Sequence, residues 1–521
     1  MADAEDGVMA PPYGDADDLA AMGHEEGLTR KFDTISMLAL AFCVLGTWST
    51  FAQDLAQGLA NGGPVDMLWG LCLVTLCNLA VVLSLGEMLS AMPTTMGQAY
   101  WTFRLGGQTP GARFASYCCA WINTFGWWTL TASQIAFVNQ FILGIKEIWD
   151  PGWPGAYQDW TQFVIFIGTT ALFTFLNTIA CRNDSILPWF NNFVGIWFMC
   201  LFVGISMALL IATGTKPGLS FQPASFVFGT FLNATGWNNG VTWFIGLLQA
   251  AYGLTAFDSV IHMVEEMPSP RRDAPRVMFM SVAFGALTGF IFLIVCLFCI
   301  QDLDNILLAL IPFMNLLQEC IGLQGATALL VLFTPFGLGG TISTMTTSSR
   351  LTWAFARDGG LPFSKGLAYV SPKWKAPIRA LWLQGAVIML VGVLYFASDE
   401  VLVAVLSVST IALTVSYGIP IAVLLIVGRD KLPPGGYSLG RWGPLMNWVG
   451  VIYCVITTVF FFFPSSPDPQ VDDMNYAIAI FAVMLLCAGG FWIFKGRKTY
   501  LRNDDAARRM REARQMENKS G

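Results

Sequence analysis

The sequence predicts an all-α polytopic membrane protein of twelve transmembrane helices, the first and sixth of them broken at mid-membrane. Three observations carry this. Of 521 residues, 55% are hydrophobic and 12% charged, against roughly 25% charged in soluble domains, and mean hydropathy is +0.58. Apolar runs of about 20 residues, enough to cross a bilayer core, recur along the chain. Lys and Arg fall in alternate intervals between these runs, as the positive-inside bias requires.

In chain order, residues 1–32 form an acidic tail expected to be disordered and cytoplasmic. Asp3, Glu5, Asp6, Asp15, Asp17, Asp18, Glu25 and Glu26 precede any Lys or Arg, so no secretory signal is expected. A transmembrane domain at 33–494 follows. Its segments lie at about 35–59, 65–91, 114–145, 161–181, 187–213, 241–265, 277–300, 325–349, 378–397, 400–427, 445–463 and 475–494. With the N-terminus inside, 26 of the 28 Lys and Arg fall on the inner side, and only Lys146 and Lys216 fall outside. Both termini are therefore expected in the cytoplasm. Residues 495–521 are a basic cytoplasmic tail whose RNDDAARRMREARQME stretch could lie as a helix on the inner leaflet.

Segment six organises the chain. VTWFIGLLQAAYGLTAFDSVIHMVEEMPSPRRDAP begins as an apolar helix and loses its pattern at Ala250–Asp258, where Gly253, Thr255 and Ala256 surround Tyr252, Phe257 and Asp258. A carboxylate at membrane depth is costly, which makes Asp258 a functional candidate by default. An unwound helix centre frees backbone groups that are tolerated only where they line a cavity or ligand. The competing reading is a plain kink, with Asp258 hydrogen-bonded to nearby backbone. Segment one is interrupted in the same way at Gly46-Thr47-Trp48-Ser49-Thr50. Matching breaks five segments apart point to an inverted repeat with a midplane binding site.

Other residues carry weaker signals. Glu87, near the inner end of segment two, either pairs with a basic loop residue or takes part in proton coupling. His262, one turn past Asp258, is a packing residue or a proton sensor. Trp127 and Trp128 fall mid-segment, where they could face a cavity, although most tryptophans serve as interface anchors. Asn233-Ala234-Thr235 is a glycosylation sequon on the expected outer side. Cys296 and Cys299 have CxxC spacing inside an apolar helix without His or acidic partners, which reads as packing. Walker A, GxSxG and HExxH patterns are missing. The chain is thus not expected to be an enzyme, to hydrolyse ATP, or to need a cofactor, a metal or nucleic acid.

TAFDSVIHMVEEMPSPRRDAPRVM in segment six resembles the amino acid–polyamine–organocation superfamily, most closely its fungal branch of choline and γ-aminobutyrate permeases. SSRLTWAFARDGGLPFS, FLNATGWNNG, CIQDLDNIL and SYGIPI are similar to the same branch, so the resemblance spans roughly Lys31 to Tyr500. One departure is MPTTMGQAYW, where Met96 precedes Gly97 and the family usually has two glycines. The resemblance implies a 5+5 inverted repeat with two outer helices, alternating access and ion-coupled symport, with a proton as the expected ion. It implies that Gly46, Thr47, Trp48 and Ser49 form the substrate-binding break in segment one. Ala250, Ala251, Tyr252, Gly253, Leu254 and Thr255 would form its counterpart in segment six, with Tyr252 as an aromatic lid.

Physically, half-helix N-termini attract a carboxylate and freed carbonyls attract an ammonium. A quaternary ammonium such as choline would instead need aromatic faces, for which Trp48, Tyr252 and Phe257 are available. The residues accommodate an amino acid, γ-aminobutyrate, choline or a related small amine, crossing the bilayer with a co-transported ion, most naturally at the plasma membrane. A transporter of a specialised fungal metabolite is an alternative. A membrane sensor binding the same ligands without moving them is another, but it would usually carry a longer signalling tail.

Overall fold

A computed structural model describes residues 27–156, 158–309, 311–396, 401–464, 466–469 and 475–502. The first 26 residues and those beyond 502, which hold most of both tails, lie outside the described residues. The described residues are mainly helical, with one short antiparallel pairing, Asn61–Gly62 (β1) with Leu232–Asn233 (β2), and an isolated bridge between Ser371 and Ala376.

Segment one is α1 (Thr34–Leu45) followed by α2 (Thr47–Gln53). Asp33 caps α1 by accepting from Ser36 N at 2.8 Å, and Gly46 ends it at φ 55°, a left-handed conformation that glycine adopts without a Cβ clash. The principal helices that follow are α3 (Leu71–Ala91), α4 (Gly97–Leu105), α5 (Pro110–Trp149), α6 (Asp159–Ala180) and α7 (Ile186–Thr215). Segment six is α8 (Asn239–Gly253), a non-helical stretch, and the single turn α9 (Ser259–His262). After it come α10 (Pro270–Cys299), α11 (Leu323–Arg357), α12 (Ile378–Val391), α13 (Val401–Val427), α14 (Gly443–Phe460) and α15 (Ala477–Phe491). Caps follow the sequence: Thr109 accepts from Ala112 N ahead of Pro110, and Asn238 accepts from Val241 N.

Ten helical stretches among the described residues are long and apolar enough to cross a membrane, against the twelve segments expected. The two others have physical reasons to fall short. The break leaves α8 only 15 residues, about 22 Å of helix against a core of about 30 Å. Helix α5 has 40 residues, but Asn123, Thr124, Ser133, Gln134 and Asn139 dilute its apolar character.

The broken helices occupy the middle of the bundle. α3 runs along α10 and α5 along α13, with α2 packed on α8 and α10. A Cβ at Gly285 or Gly289 of α10 would collide with Thr47 or Phe51, so these two glycines let α2 approach closely.

The ends of the domain are less separate from the tails than expected. Lys31 N and Phe32 N both donate to Glu266 O, and Leu28 and Phe32 are buried. At the other end, Tyr500 is fully buried, its hydroxyl 2.8 Å from Ser116 Oγ. Leu501 N donates to Asp358 O, and Thr499 Oγ1 donates to Gly359 O at 2.9 Å. Backbone and aromatic surface that a solvated tail would leave bare are covered instead. We call the face carrying Lys31, Glu266 and Tyr500 the N-terminal face, and the one carrying β1 and β2 the far face.

Candidate functional site

The two breaks are joined directly. Thr47 Oγ1 donates to Gly253 O at 2.6 Å, so the first residue after one break satisfies a carbonyl freed at the other. Ser49 Oγ turns back onto Gly46 O at 2.7 Å. In segment six the helix ends at Gly253, Leu254 and Thr255 continue out of helical register, and Ala256 takes φ 70°. Ala250, Ala251, Leu254 and Thr255 are all buried. The carbonyls here are reached by side chains from other helices, as expected where unwound backbone lies inside a bundle.

Asp258 follows this stretch and is fully buried, as is His262. The carboxylate gathers four partners from four elements. Tyr417 of α13 donates its hydroxyl to Oδ1 at 2.7 Å. Oδ2 receives Gln98 Nε2 of α4 at 2.9 Å and Trp127 Nε1 of α5 at 3.2 Å, and lies 3.0 Å from His262 Nε2. Tyr417 also accepts from Ala256 N at 3.2 Å, and its ring packs on Phe257 at 4.7 Å. Asp258 is thus held by a side-chain network reaching across the bundle, and not by neighbouring backbone.

The position of Gln98 depends on the loop before it. Gly97 has φ 40°, and a Cβ there would strike Ile261. Met96, at φ −73°, takes an ordinary right-handed conformation, so a second glycine is not needed for this geometry.

His262 has its other nitrogen, Nδ1, 2.8 Å from Thr95 O. A carbonyl only accepts, so Nδ1 carries a hydrogen. Nε2 then faces Asp258 Oδ2 at 3.0 Å, a contact that becomes a hydrogen bond when one proton is shared between them. Without that proton, an imidazole lone pair would face a carboxylate oxygen. Asn123 adds its side-chain amide at 3.3 Å from Nε2, and the Trp127 ring stands edge-on to the imidazole.

The N-terminal face is closed by ion pairs. Glu266 pairs with Lys31 at 2.8 Å and Arg350 at 2.7 Å. Glu265 takes Arg357 through both oxygens, at 2.9 and 3.0 Å, and accepts from Thr95 N at 3.2 Å. Segment six, α11 and the chain before α1 are thereby fastened together. Toward the far face, a narrow crevice of about 30 Å³ is lined by Asp54, Gln57, Asn61, Gln249 and Tyr252, room for a water or two.

The remaining expected site residues have other partners. Trp48 is fully buried with its ring stacked on Phe198 at 4.7 Å and against Phe292 at 5.0 Å. Tyr252 instead turns to α5, its hydroxyl 2.8 Å from Ser133 Oγ. Glu87 stands apart from Asp258 and holds Arg429 through both oxygens at 2.7 and 2.6 Å, with Leu439 N at 2.9 Å. Asn233 is exposed in β2, its amide nitrogen donating to Trp237 O at 2.8 Å. Trp128 donates to Thr352 Oγ1 at 3.0 Å. Sequence reasoning did not single out Gln98, Asn123 or Tyr417 as site residues. Of these, Tyr417 had a signal, since it lies in the SYGIPI motif.

The amino acid permease family model matches residues 32–485. The choline transporter of Saccharomyces cerevisiae is 31% identical over 94% of this chain and 86% of its own. A protein of Macrophomina phaseolina named for amino acid/polyamine transport is 34% identical over 85% of this chain and 97% of its own. The GABA-specific permease of S. cerevisiae is 26% identical over 94% and 86%. These relatives are membrane transporters and not enzymes, and the chain belongs to the amino acid permease family.

Proposed function

We propose that the protein is a proton-coupled secondary transporter that carries a small nitrogenous solute by alternating access. The solute is an amino acid, γ-aminobutyrate, choline or a related amine. Its membrane domain is read as twelve spans, five plus five in inverted repeat with two outer helices. The N-terminal face and both termini are cytoplasmic, and the plasma membrane is the expected site. The names of the relatives support the solute class.

The observation that carries the coupling is the 3.0 Å approach of His262 Nε2 to Asp258 Oδ2, both fully buried. A proton shared by the pair would hold this geometry. Losing it sets a lone pair against a carboxylate and favours a segment-six arrangement that separates them. Protonation thus biases one conformation of the broken helix, which is what coupling requires. Solute recognition is assigned to the breaks: Gly46–Ser49 and Ala250–Thr255 supply backbone groups, with Tyr252 and Phe257 as aromatic surface.

The test is uptake of labelled choline, γ-aminobutyrate and neutral and basic amino acids into cells lacking endogenous carriers, from pH 5 to pH 8. Uptake of one solute class that rises as external pH falls, and collapses with a protonophore, is expected. Uptake indifferent to pH and protonophore removes the proton from the reading.

A further inference from the structure

Segment one has a second irregularity. At Asp54 the backbone leaves helical geometry (φ −112°, ψ 28°) before the next short helix, Leu55–Ala60. Its carbonyl accepts Gln249 Nε2 at 2.7 Å, which ties α8 across to segment one. Its side chain lines the crevice toward the far face, and among the described residues nothing bonds to its carboxylate. Asp54 is the one charged residue of that lining. Ile245, Leu248 and Leu406 supply apolar wall, Gln57, Asn61 and Gln249 supply amide groups, and Tyr252 lies at the segment-six break. Tyr252 lines the crevice with its hydroxyl engaged by Ser133, and its ring stands edge-on to Phe137 at 6.2 Å.

A carboxylate against a narrow, largely apolar crevice is unfavourable until a cation joins it. Apolar wall and an aromatic ring suit an alkylated ammonium, whereas calcium or magnesium wants six or more oxygen ligands. The surrounding field has the same sign. Lys146 and Lys216 are the basic residues of the segments assigned to the outer side, where acidic residues outnumber them. Such a field concentrates organic cations.

We propose that Asp54 and the Tyr252 ring form an outer subsite for the ammonium group of the solute, engaged as the crevice widens and before the solute reaches the breaks. This deepens the transport reading and rests on it for orientation. It commits the site to solutes carrying an ammonium.

The test is calorimetric titration of purified full-length protein in lipid nanodiscs with tetramethylammonium, choline and the uncharged choline analogue 3,3-dimethylbutan-1-ol. Wild type should bind both cations at least about tenfold more tightly than the alcohol. Asp54→Asn should lose about tenfold in affinity for the cations and none for the alcohol, while Asp54→Glu stays within about threefold of wild type. Thermal unfolding of both variants establishes that they are folded. Cation affinity unchanged in Asp54→Asn, no cation binding by wild type, or sodium competing in wild type but not in Asp54→Asn would each overturn the subsite. The two readings fail separately: wild type that binds tetramethylammonium but moves no labelled solute defeats the transport reading alone. Wild type that transports while Asp54→Asn binds normally defeats the subsite alone.

Discussion

On the far-face side of its break, segment six is tied to segment one by single hydrogen bonds to backbone carbonyls, Gln249 to Asp54 and Thr47 to Gly253. On the N-terminal side, Glu265 and Glu266 hold Arg357, Arg350 and Lys31 in buried ion pairs. A neutral bond to a carbonyl is worth about 1 kcal/mol net, and water replaces it readily. Leaving one partner of a buried ion pair alone costs about 3–5 kcal/mol. The two halves of one helix thus differ severalfold in what opening them requires. Under the transport reading the far face is expected to yield first, because opening the N-terminal face would have to replace several buried charges together.

The strongest way to break this comparison is Glu266→Gln, which leaves Arg350 and Lys31 buried without their carboxylate. A loss of about 3–5 kcal/mol is expected, read as a much lower unfolding temperature in detergent, with Arg350→Gln in the same chain recovering part of it. Unchanged stability would mean the N-terminal seal is no firmer than the far side. Next is Asp258→Asn, which keeps shape and removes charge at the junction of the halves. Surface expression should be near normal and uptake should fall at least about tenfold. Full uptake with unchanged pH dependence would confine Asp258 to holding the fold.

The aromatic residues sharpen the same contrast. Trp48→Leu empties part of the ring cluster with Phe198 and Phe292 and should cost about 1–3 kcal/mol of stability. Tyr252→Phe removes the bond to Ser133 and should change uptake only a few-fold. A larger effect of Tyr252→Phe than of Trp48→Leu on uptake at equal expression would place the hydroxyl, not the ring, in recognition.

A pH-dependent effect is expected at Asp358, just beyond α11. Burial raises its carboxyl to about 7, against the lowering influence of Arg357. The folded state therefore holds a proton that the unfolded chain releases above about 4. That contribution to stability is complete below the unfolded value and is lost as pH rises through about 7. Asp358→Asn should accordingly stabilise the protein at pH 8 and leave it unchanged at pH 4, as measured by unfolding temperature across that range.

The breaks were legible because their cause is local. Gly46 beside Thr47 and Ser49, and the small residues before Asp258, are visible as lapses in an apolar run. A carboxylate in such a run is conspicuous whatever surrounds it. What surrounds it was not legible: Gln98, Trp127 and Tyr417 come from three other helices, and no spacing in the chain encodes their meeting. Trp48 and Tyr252 looked alike as aromatics in matching breaks. They differ because α7 and α10 enclose the first and α5 receives the second. Lys31 read as part of a solvated tail because nothing near it in sequence announces Glu266 and Arg350. Twelve segments are expected and ten helical stretches among the described residues have the length and apolarity of a span, because α8 is shortened by its break and α5 is lined with amides.

Tyr500 gives the architecture an order in time. Its ring and hydroxyl complete a surface whose other members, Ser116 and Phe355, belong to helices made long before it. Synthesis runs from N- to C-terminus, so α5 and α11 enter the bilayer with that surface open. It closes only after α15 has been delivered and the chain has turned back. A ribosome stalled before Tyr500 would leave a nearly finished bundle with an exposed aromatic hollow at one face, the kind of defect that quality-control factors recognise.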